Sequence, residues 1–321
     1  MAMAWIEPVL ITPSTINSWI DVDLSSYVPS NATGVIFHAR NTSGSDFALG
    51  IRKNGSTDAR TQQLGRNTHC WGVIGVDESK IIELYVGDDV YVRVYLVGYF
   101  KWDTFFFTNA IDKSPATTGS WVDIDISSDT GSDTAIAGIF EITGNPSTYY
   151  SVGLRKNGST DARTATIYGH NCFGAIIGVD GSEVCEGYIG DSSVKLYLVG
   201  YFESGATLNT NATDISPAAI NEWTDLAALP DGSTGALIEI APTDDTVWAY
   251  GLRKNGSSES FNDNVNKHAW GLVECDTSGI IEALIAYSTV KLFLIGYASP
   301  PPSPEFKPFW AYNSNVMVNG A

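Results

Sequence analysis

The sequence predicts an all-β protein: three tandem copies of a β-sandwich or jelly-roll-like module of about 100 residues, followed by a Pro-rich C-terminal tail. Three observations carry this. Arg-Lys-Asn-Gly-Ser occurs at 52–56, 155–159 and 253–257, each time behind an apolar residue and a glycine, Gly50, Gly153 or Gly251. Leu-(Val/Ile)-Gly-Tyr recurs around Gly98, Gly200 and Gly296. Trp19, Trp121 and Trp223 recur with Pro13, Pro115 and Pro217 ahead of them. Three landmarks in one order at one spacing are the mark of internal repetition. The period is too long for a solenoid unit of about 20–50 residues and suits a domain with its own core. The expected boundaries are 1–102, 103–204 and 205–298, with a tail at 299–321.

Within a copy, Trp19-Ile20-Asp21-Val22-Asp23-Leu24 and Trp121-Val122-Asp123-Ile124-Asp125-Ile126 alternate apolar and polar residues. That is the period of a half-buried strand. Asn54-Gly55, Asn157-Gly158 and Asn255-Gly256 are expected hairpin tips, in type I′ turns with positive φ at both residues. The last strand of each copy, 92–99, 194–201 and 290–297, is β-branched and aromatic, with Arg93, Lys195 or Lys291 in one slot. No stretch of ten or more residues keeps a 3.6-residue apolar period.

At 44% apolar and 12% aromatic residues the chain can fill three cores. Acidic residues outnumber basic ones 36 to 18, a formal net charge of −18. This excludes binding to a phosphate backbone, which needs clustered Lys and Arg, so no nucleic-acid partner is expected. No apolar run reaches the length of a membrane span, and Met-Ala-Met-Ala-Trp-Ile-Glu-Pro lacks the basic and apolar regions of a secretory leader. Cys70, Cys172, Cys185 and Cys275 do not repeat with the module, so free buried thiols are expected rather than a disulfide framework.

No catalytic residue, cofactor or metal is expected. His69, His170 and His268 neighbour Cys70, Cys172 and Ala269, but the His shifts by one residue in the second copy. A one-residue shift on a strand turns a side chain to the other face, which a four-ligand zinc site does not tolerate. Glu83, Glu186 and Glu282, each preceded by Asp77, Asp180 or Asp276, resemble an acid–base pair, yet no nucleophile or oxyanion motif accompanies them. Cross-strand pairing with Arg93, Lys195 and Lys291 is their expected structural role. The acidic run 129–133 matches no EF-hand loop. Asn-Gly-Ser is a glycosylation sequon by composition, but the turn already accounts for the Asn-Gly.

Ser-Pro-Pro-Pro-Ser-Pro at 299–304 is a semi-rigid spacer leading to Phe306, Phe309, Trp310 and Tyr312, candidate partner-docking residues. The repeated Arg-Lys-Asn-Gly-Ser turn, the Leu-Val-Gly-Tyr-Phe strand ends, the lack of a leader and the aromatic tail resemble tandem β-module proteins on tailed-phage virions. The resemblance implies a virion surface component made in a host cytoplasm: a head decoration protein, a fibre or a tail-associated protein. Its partners would be other virion proteins, capsid or tail, and copies of itself. The alternative is a glycan-binding lectin or tail-associated adhesin that recognises host surface glycans through exposed aromatics such as Trp102 and Trp248. The equal connectors between copies, from Phe100 to Pro115 and from Phe202 to Pro217, predict a regular array, either a three-lobed knob or a straight rod.

Overall fold

The computed structural model describes residues 2–131, 134–144, 148–168, 172–226, 228–244, 246, 248–261 and 268–299. The first stretch of chain holds β1 (Ala2–Leu10), β2 (Trp19–Asp23), β3 (Ala32–Asn41), β4 (Phe47–Lys53), β5 (Gln62–Leu64), β6 (Thr68–Gly75), β7 (Ile81–Val86) and β8 (Val92–Lys101). β8 shows how sequence becomes structure here. Its Val92, Val94, Leu96 and Gly98 are buried while the residues between them are half-exposed, the alternation of a strand with one face on a core. The strands form two antiparallel sheets, ordered β1-β8-β3-β6 and β2-β7-β4-β5. Two four-stranded sheets wound in that order make an eight-stranded jelly roll.

The same order recurs along the chain. β9 (Thr104–Asp112), β10 (Trp121–Asp125), β11 (Ala137–Thr143), β12 (Tyr149–Lys156), β13 (Ala165–Tyr168), β14 (Cys172–Gly178), β15 (Val184–Ile189) and β16 (Lys195–Phe202) build β9-β16-β11-β14 and β10-β15-β12-β13. One helical turn, α1 (Ser127–Thr130), interrupts them and ends on Gly131 in the left-handed region. β17 (Ala206–Asp214), β18 (Thr224–Asp225), β19 (Gly235–Ile240), β20 (Tyr250–Lys254), β21 (Ala269–Glu274), β22 (Ile281–Ile285) and β23 (Leu292–Ala298) build β17-β23-β19-β21 and β18-β22-β20. Among the described residues no helix is long and apolar enough to cross a membrane.

The three innermost strands β6, β14 and β21 pack against one another. β6 and β14 also share a parallel bridge at Phe173 and Gly72, which fuses two sheets into one of eight strands. β6 is buried along its whole length because both its faces meet protein. Each copy has an apolar cluster of its own, but each cluster borrows an aromatic from a neighbour. Phe173 of the second copy packs in the first core, Trp270 of the third in the second core, and Trp71 of the first in the third core. A fourth cluster lies where the copies meet and draws on all three: Ile36, Ile139 and Leu237; Val73, Ile176 and Leu272; Phe100, Phe202 and Ala298. The exchange runs in a closed cycle, so the copies ring a common axis instead of following one another in a rod. Each copy's core is thus completed by a neighbour's side chain, and the fourth cluster is common to all three.

Candidate functional site

Two of the three sequence landmarks, the repeated Arg and the repeated Trp, meet in space as one unit. Arg52 makes a two-pronged ion pair with Glu83, 2.9 Å on each prong, and its guanidinium lies 4.2 Å from the Trp19 ring centre. Arg155 does the same with Glu186 and Trp121, and Arg253 with Glu282 and Trp223. The glycine before each is required. A Cβ on Gly50, Gly153 or Gly251 would stand 2.5–2.6 Å from the tryptophan tip, inside any real contact. The glutamates therefore serve β4, β12 and β20, not Arg93, Lys195 and Lys291. Those cations sit on or beside β8, β16 and β23, in the opposite sheet of each sandwich, which corrects the expected pairing.

The Asn-Gly turns are also corrected. Ser56, Ser159 and Ser257 close them by donating to Lys53, Lys156 and Lys254 carbonyls, but only the glycine has positive φ: +80° at Gly55, +79° at Gly158 and +76° at Gly256. That is the signature of a type II turn. Nor are Asn54, Asn157 and Asn255 tips of tight hairpins, because β4 does not resume pairing with β5 until Gln62. Their side chains are fastened instead, each donating to Asp77, Asp180 or Asp276 at 2.6–2.8 Å. The turn launches an arm that crosses to the next copy.

At the first junction Ser56 Oγ and the Thr57 amide donate to Asn109 Oδ1, and the Ala110 amide donates to Asp58. Arg60, at the end of the arm, is paired with the buried Glu141 at 2.8 Å and lies 4.2 Å over the Tyr197 ring. The second junction repeats this: Ser159 and Thr160 with Asn211, Ala212 with Asp161, and Arg163 with Glu239 and Phe293. Here His268 joins, one ring nitrogen 2.9 Å from Glu239 and the other 2.9 Å from the Val152 carbonyl. Burial pushes the Glu141 carboxyl above the ordinary carboxylate range, against the pull of Arg60.

The third junction, from the third copy back to the first, differs at each of these positions. Phe261 stands where Arg60 and Arg163 stand, and it packs on His38 and Tyr95 in place of a Glu and its ring. The segment bulging from the first strand is one residue shorter. Residues 6–8 lie between the paired Trp5 and Val9, whereas 107–110 and 209–212 fill the equivalent spans. Glu7 replaces the accepting Asn, and Pro8 replaces the donating Ala and has no N–H to offer Glu259. Glu274 takes the register position of Gly75 and Gly178, opposite Gly235, Gly34 and Ala137 respectively. Lys254 accordingly turns to Glu274 at 2.7 Å, where Lys53 and Lys156 donate to strand carbonyls. The result is a cleft of about 600 Å³, against about 20 Å³ at the second junction.

Of the residues singled out by sequence, His69 lies against His38, Nδ1 to Nε2 at 2.8 Å, in an aromatic cluster with Trp71 and Tyr250. Among the described residues no group of three or more His, Cys, Asp or Glu is placed to hold a metal ion. Cys70, Cys185 and Cys275 are buried, and burial pushes the Cys185 thiol up to about 12. Trp248 is stacked on Tyr287 at 4.0 Å, which covers one face, while Trp102 is 54% exposed. His170, Ser132 and Asp133 and the tail residues Phe306, Phe309, Trp310 and Tyr312 lie outside the described residues. Sequence reasoning missed Arg60, Arg163 and Phe261. Their signal was present in the aligned copies, as the one position of the repeated arm where a cation becomes an aromatic.

No protein-family model matches the chain, and no curated protein matches it. Among solved structures it is similar to a chain from the turret assembly of an archaeal virus, described as a triple jelly roll, at 10% identity and a TM-score of 0.25, covering 92% of this chain and 91% of that one. It is also similar to a chain from the lipid-containing bacteriophage PM2, at 8% identity and a TM-score of 0.16, covering 92% and 88%. A tandem CBM22 domain pair from Paenibacillus barcinonensis Xyn10C matches at 10% identity and a TM-score of 0.17, covering 94% and 98%. At these TM-scores the likenesses carry no weight for function.

Proposed function

We propose that the protein is a non-enzymatic structural component of a virus particle surface, a capsid decoration or fibre-like knob. The observation that supports this reading is the closed exchange of Phe173, Trp270 and Trp71 between copies. It commits two buried tryptophans and a buried phenylalanine to locking three jelly rolls together, which is what a load-bearing surface element needs. Jelly rolls recur in capsid and lectin proteins, and a net charge of −18 keeps such a body soluble and free of nonspecific association. Phe306, Phe309, Trp310 and Tyr312 then form the anchor that holds it on capsid, tail or another copy. The test is cryo-imaging of source particles made with the full chain, without it, and with residues 300–321 deleted. The expected result is three-lobed surface density with the full chain and none in the other two. Purified particles that never contain the chain would sink the proposal. Full occupancy by the truncated chain would move the anchor to a face of the knob.

The runner-up is a glycan-binding adhesin, for which Trp102 is the exposed platform. Selective binding on a glycan array that is lost in Trp102→Ala would favour it.

A further inference from the structure

The cleft at the third junction is built unlike its two counterparts, and its chemistry is one-sided. Glu7, Glu259 and Glu274 line it together with Arg253 and Lys254. Both cations are committed, Arg253 to Glu282 and Lys254 to Glu274. Glu7 and Glu259 have no ion-pair partner of their own among the described residues, although the Arg253 charge acts on Glu259. Burial and then the neighbouring Glu7 push the Glu259 carboxyl above its ordinary range, so the two acids repel each other in the empty cleft. Trp5, Trp71 and Phe261 add aromatic faces to a lining that is otherwise aliphatic and polar. His38, 2% exposed, also borders the space, and its Nδ1 has no hydrogen-bond partner among the described residues. An unpartnered nitrogen at that depth is rare in a finished interior. At the first and second junctions an Asn side chain and a strand amide fill the corresponding volume.

We propose that this cleft binds an alkylguanidinium or alkylammonium side chain, an arginine or lysine presented by a partner protein. Paired carboxylates at the mouth supply the counter-charge, and the indole and phenyl faces accept the cation and its apolar stem. At the first two junctions an arginine of the chain itself already lies between a glutamate and an aromatic ring, whereas at the third Phe261 takes that place and the carboxylates lie nearby, on Glu7 and Glu259. The strong negative charge of the whole chain favours encounter with a basic partner. This is an interaction site distinct from the tail anchor, and it stands whether or not the protein belongs to a virus particle.

Trp5 supplies the readout, because its indole N–H donates to the Thr234 carbonyl at 2.9 Å beside the cleft and gives a resolvable NMR resonance. The full chain is titrated with acetyl-Gly-Arg-Gly-amide and with the same peptide carrying citrulline, which keeps the shape and lacks the charge. A saturable shift of the Trp5 indole with the arginine peptide is expected, with a dissociation constant on the order of 1 mM for a single side chain. The citrulline peptide should give none. Glu7→Gln with Glu259→Gln should weaken binding about tenfold or more. Glu78→Gln, which removes an exposed acid elsewhere, should leave it unchanged. Glu259→Gln alone provides a milder variant should the double change disturb folding, and unchanged amide spectra over β9–β16 certify the fold in each case. No saturable shift, an equal response to citrulline, or full binding by the Glu variants overturns the proposal. A shift produced by methyl mannoside or methyl galactoside but not by the arginine peptide overturns it too, in favour of a sugar site.

Discussion

Phe261 packs on His38 with ring centres 4.9 Å apart, at the one junction where the arm brings no arginine to its neighbour. Arg60 and Arg163 hold the same place at the other junctions and meet Glu141 and Glu239. The two solutions exclude one another. Phe261→Arg would bury a guanidinium beside His38 and close to Arg40, which already lies 4.8 Å from the Phe261 ring. We expect a loss of about 3 kcal/mol or more in urea denaturation, partly recovered by adding His38→Glu. A double variant no more stable than the single one would show that the junctions are not interchangeable in chemistry.

Removing one partner of a buried ion pair costs more than removing both. Arg60→Met leaves Glu141, only 4% exposed, without its counter-ion. A loss of about 3–5 kcal/mol is expected, while Arg60→Met with Glu141→Leu should come within about 1–2 kcal/mol of the parent. Chemical denaturation of all four members of the cycle measures the coupling, and additive losses would deny it.

Two glycines five residues apart should fail in different ways. Gly153→Ala would place a Cβ 2.6 Å from Trp121 and 2.7 Å from the Arg163 carbonyl, which forces the arm off its path and costs about 1–3 kcal/mol. Gly158→Ala meets nothing within 4 Å but must hold φ near +79°, a strain of about 1 kcal/mol. Only the first should also perturb the Trp121 indole resonance. Equal perturbation by both would mean that the turn and the tryptophan shelf are coupled.

Glu259 makes the protein respond to pH. Its folded-state pKa is raised by burial and by Glu7, with Arg253 opposing and Glu274 adding. The folded protein therefore holds the proton more readily than the unfolded chain. That contribution is favourable below the ordinary carboxylate pKa and is lost as pH rises through the folded value. Glu259→Gln should therefore raise the melting midpoint at about pH 7 and leave it near the parent value at about pH 4. A lower midpoint at neutral pH would show that the carboxylate is held by a favourable partner.

Excision probes the shared core. Residues 103–202 made alone lose Trp270 from their own interior and expose Ile139, Ile176, Val199 and Phe202 to water. The fragment should bind a hydrophobic dye and unfold broadly at low urea, whereas the full chain unfolds in one steep transition. A fragment as cooperative and stable as the whole would mean that the fourth cluster contributes nothing.

The strand content and the jelly-roll character were legible because each rests on local signals: alternation in β8, Asn-Gly turns, and the repeated Trp, Gly and Arg positions. The closure of the ring was not. It depends on which face of β6, β14 and β21 meets which neighbour, and three strands buried on both faces carry no alternation to read. The turn type was misjudged because Asn-Gly is read as a hairpin when β-strands flank it. Here the Asn side chain is pinned by Asp77, Asp180 or Asp276, and the chain leaves the sheet for the next copy. The partner of Glu83 was misjudged because adjacency along the chain suggested β8, while the two sheets of a sandwich separate sequential strands. The third junction was within reach of sequence alone, since Phe261, Glu7 and Pro8 are departures from the repeat.

The cyclic loan of aromatics sets an order of events during synthesis. The first copy leaves the ribosome without Phe173, and the second without Trp270. At about 5–20 residues per second, each waits several seconds or more for the side chain that completes its interior. The first copy in turn holds out Trp71 for a core that does not yet exist. The nascent protein thus carries sticky, unfinished surfaces until the last hundred residues have emerged. Its yield should fall when translation is slowed near the third copy and rise when a chaperone shelters the first two.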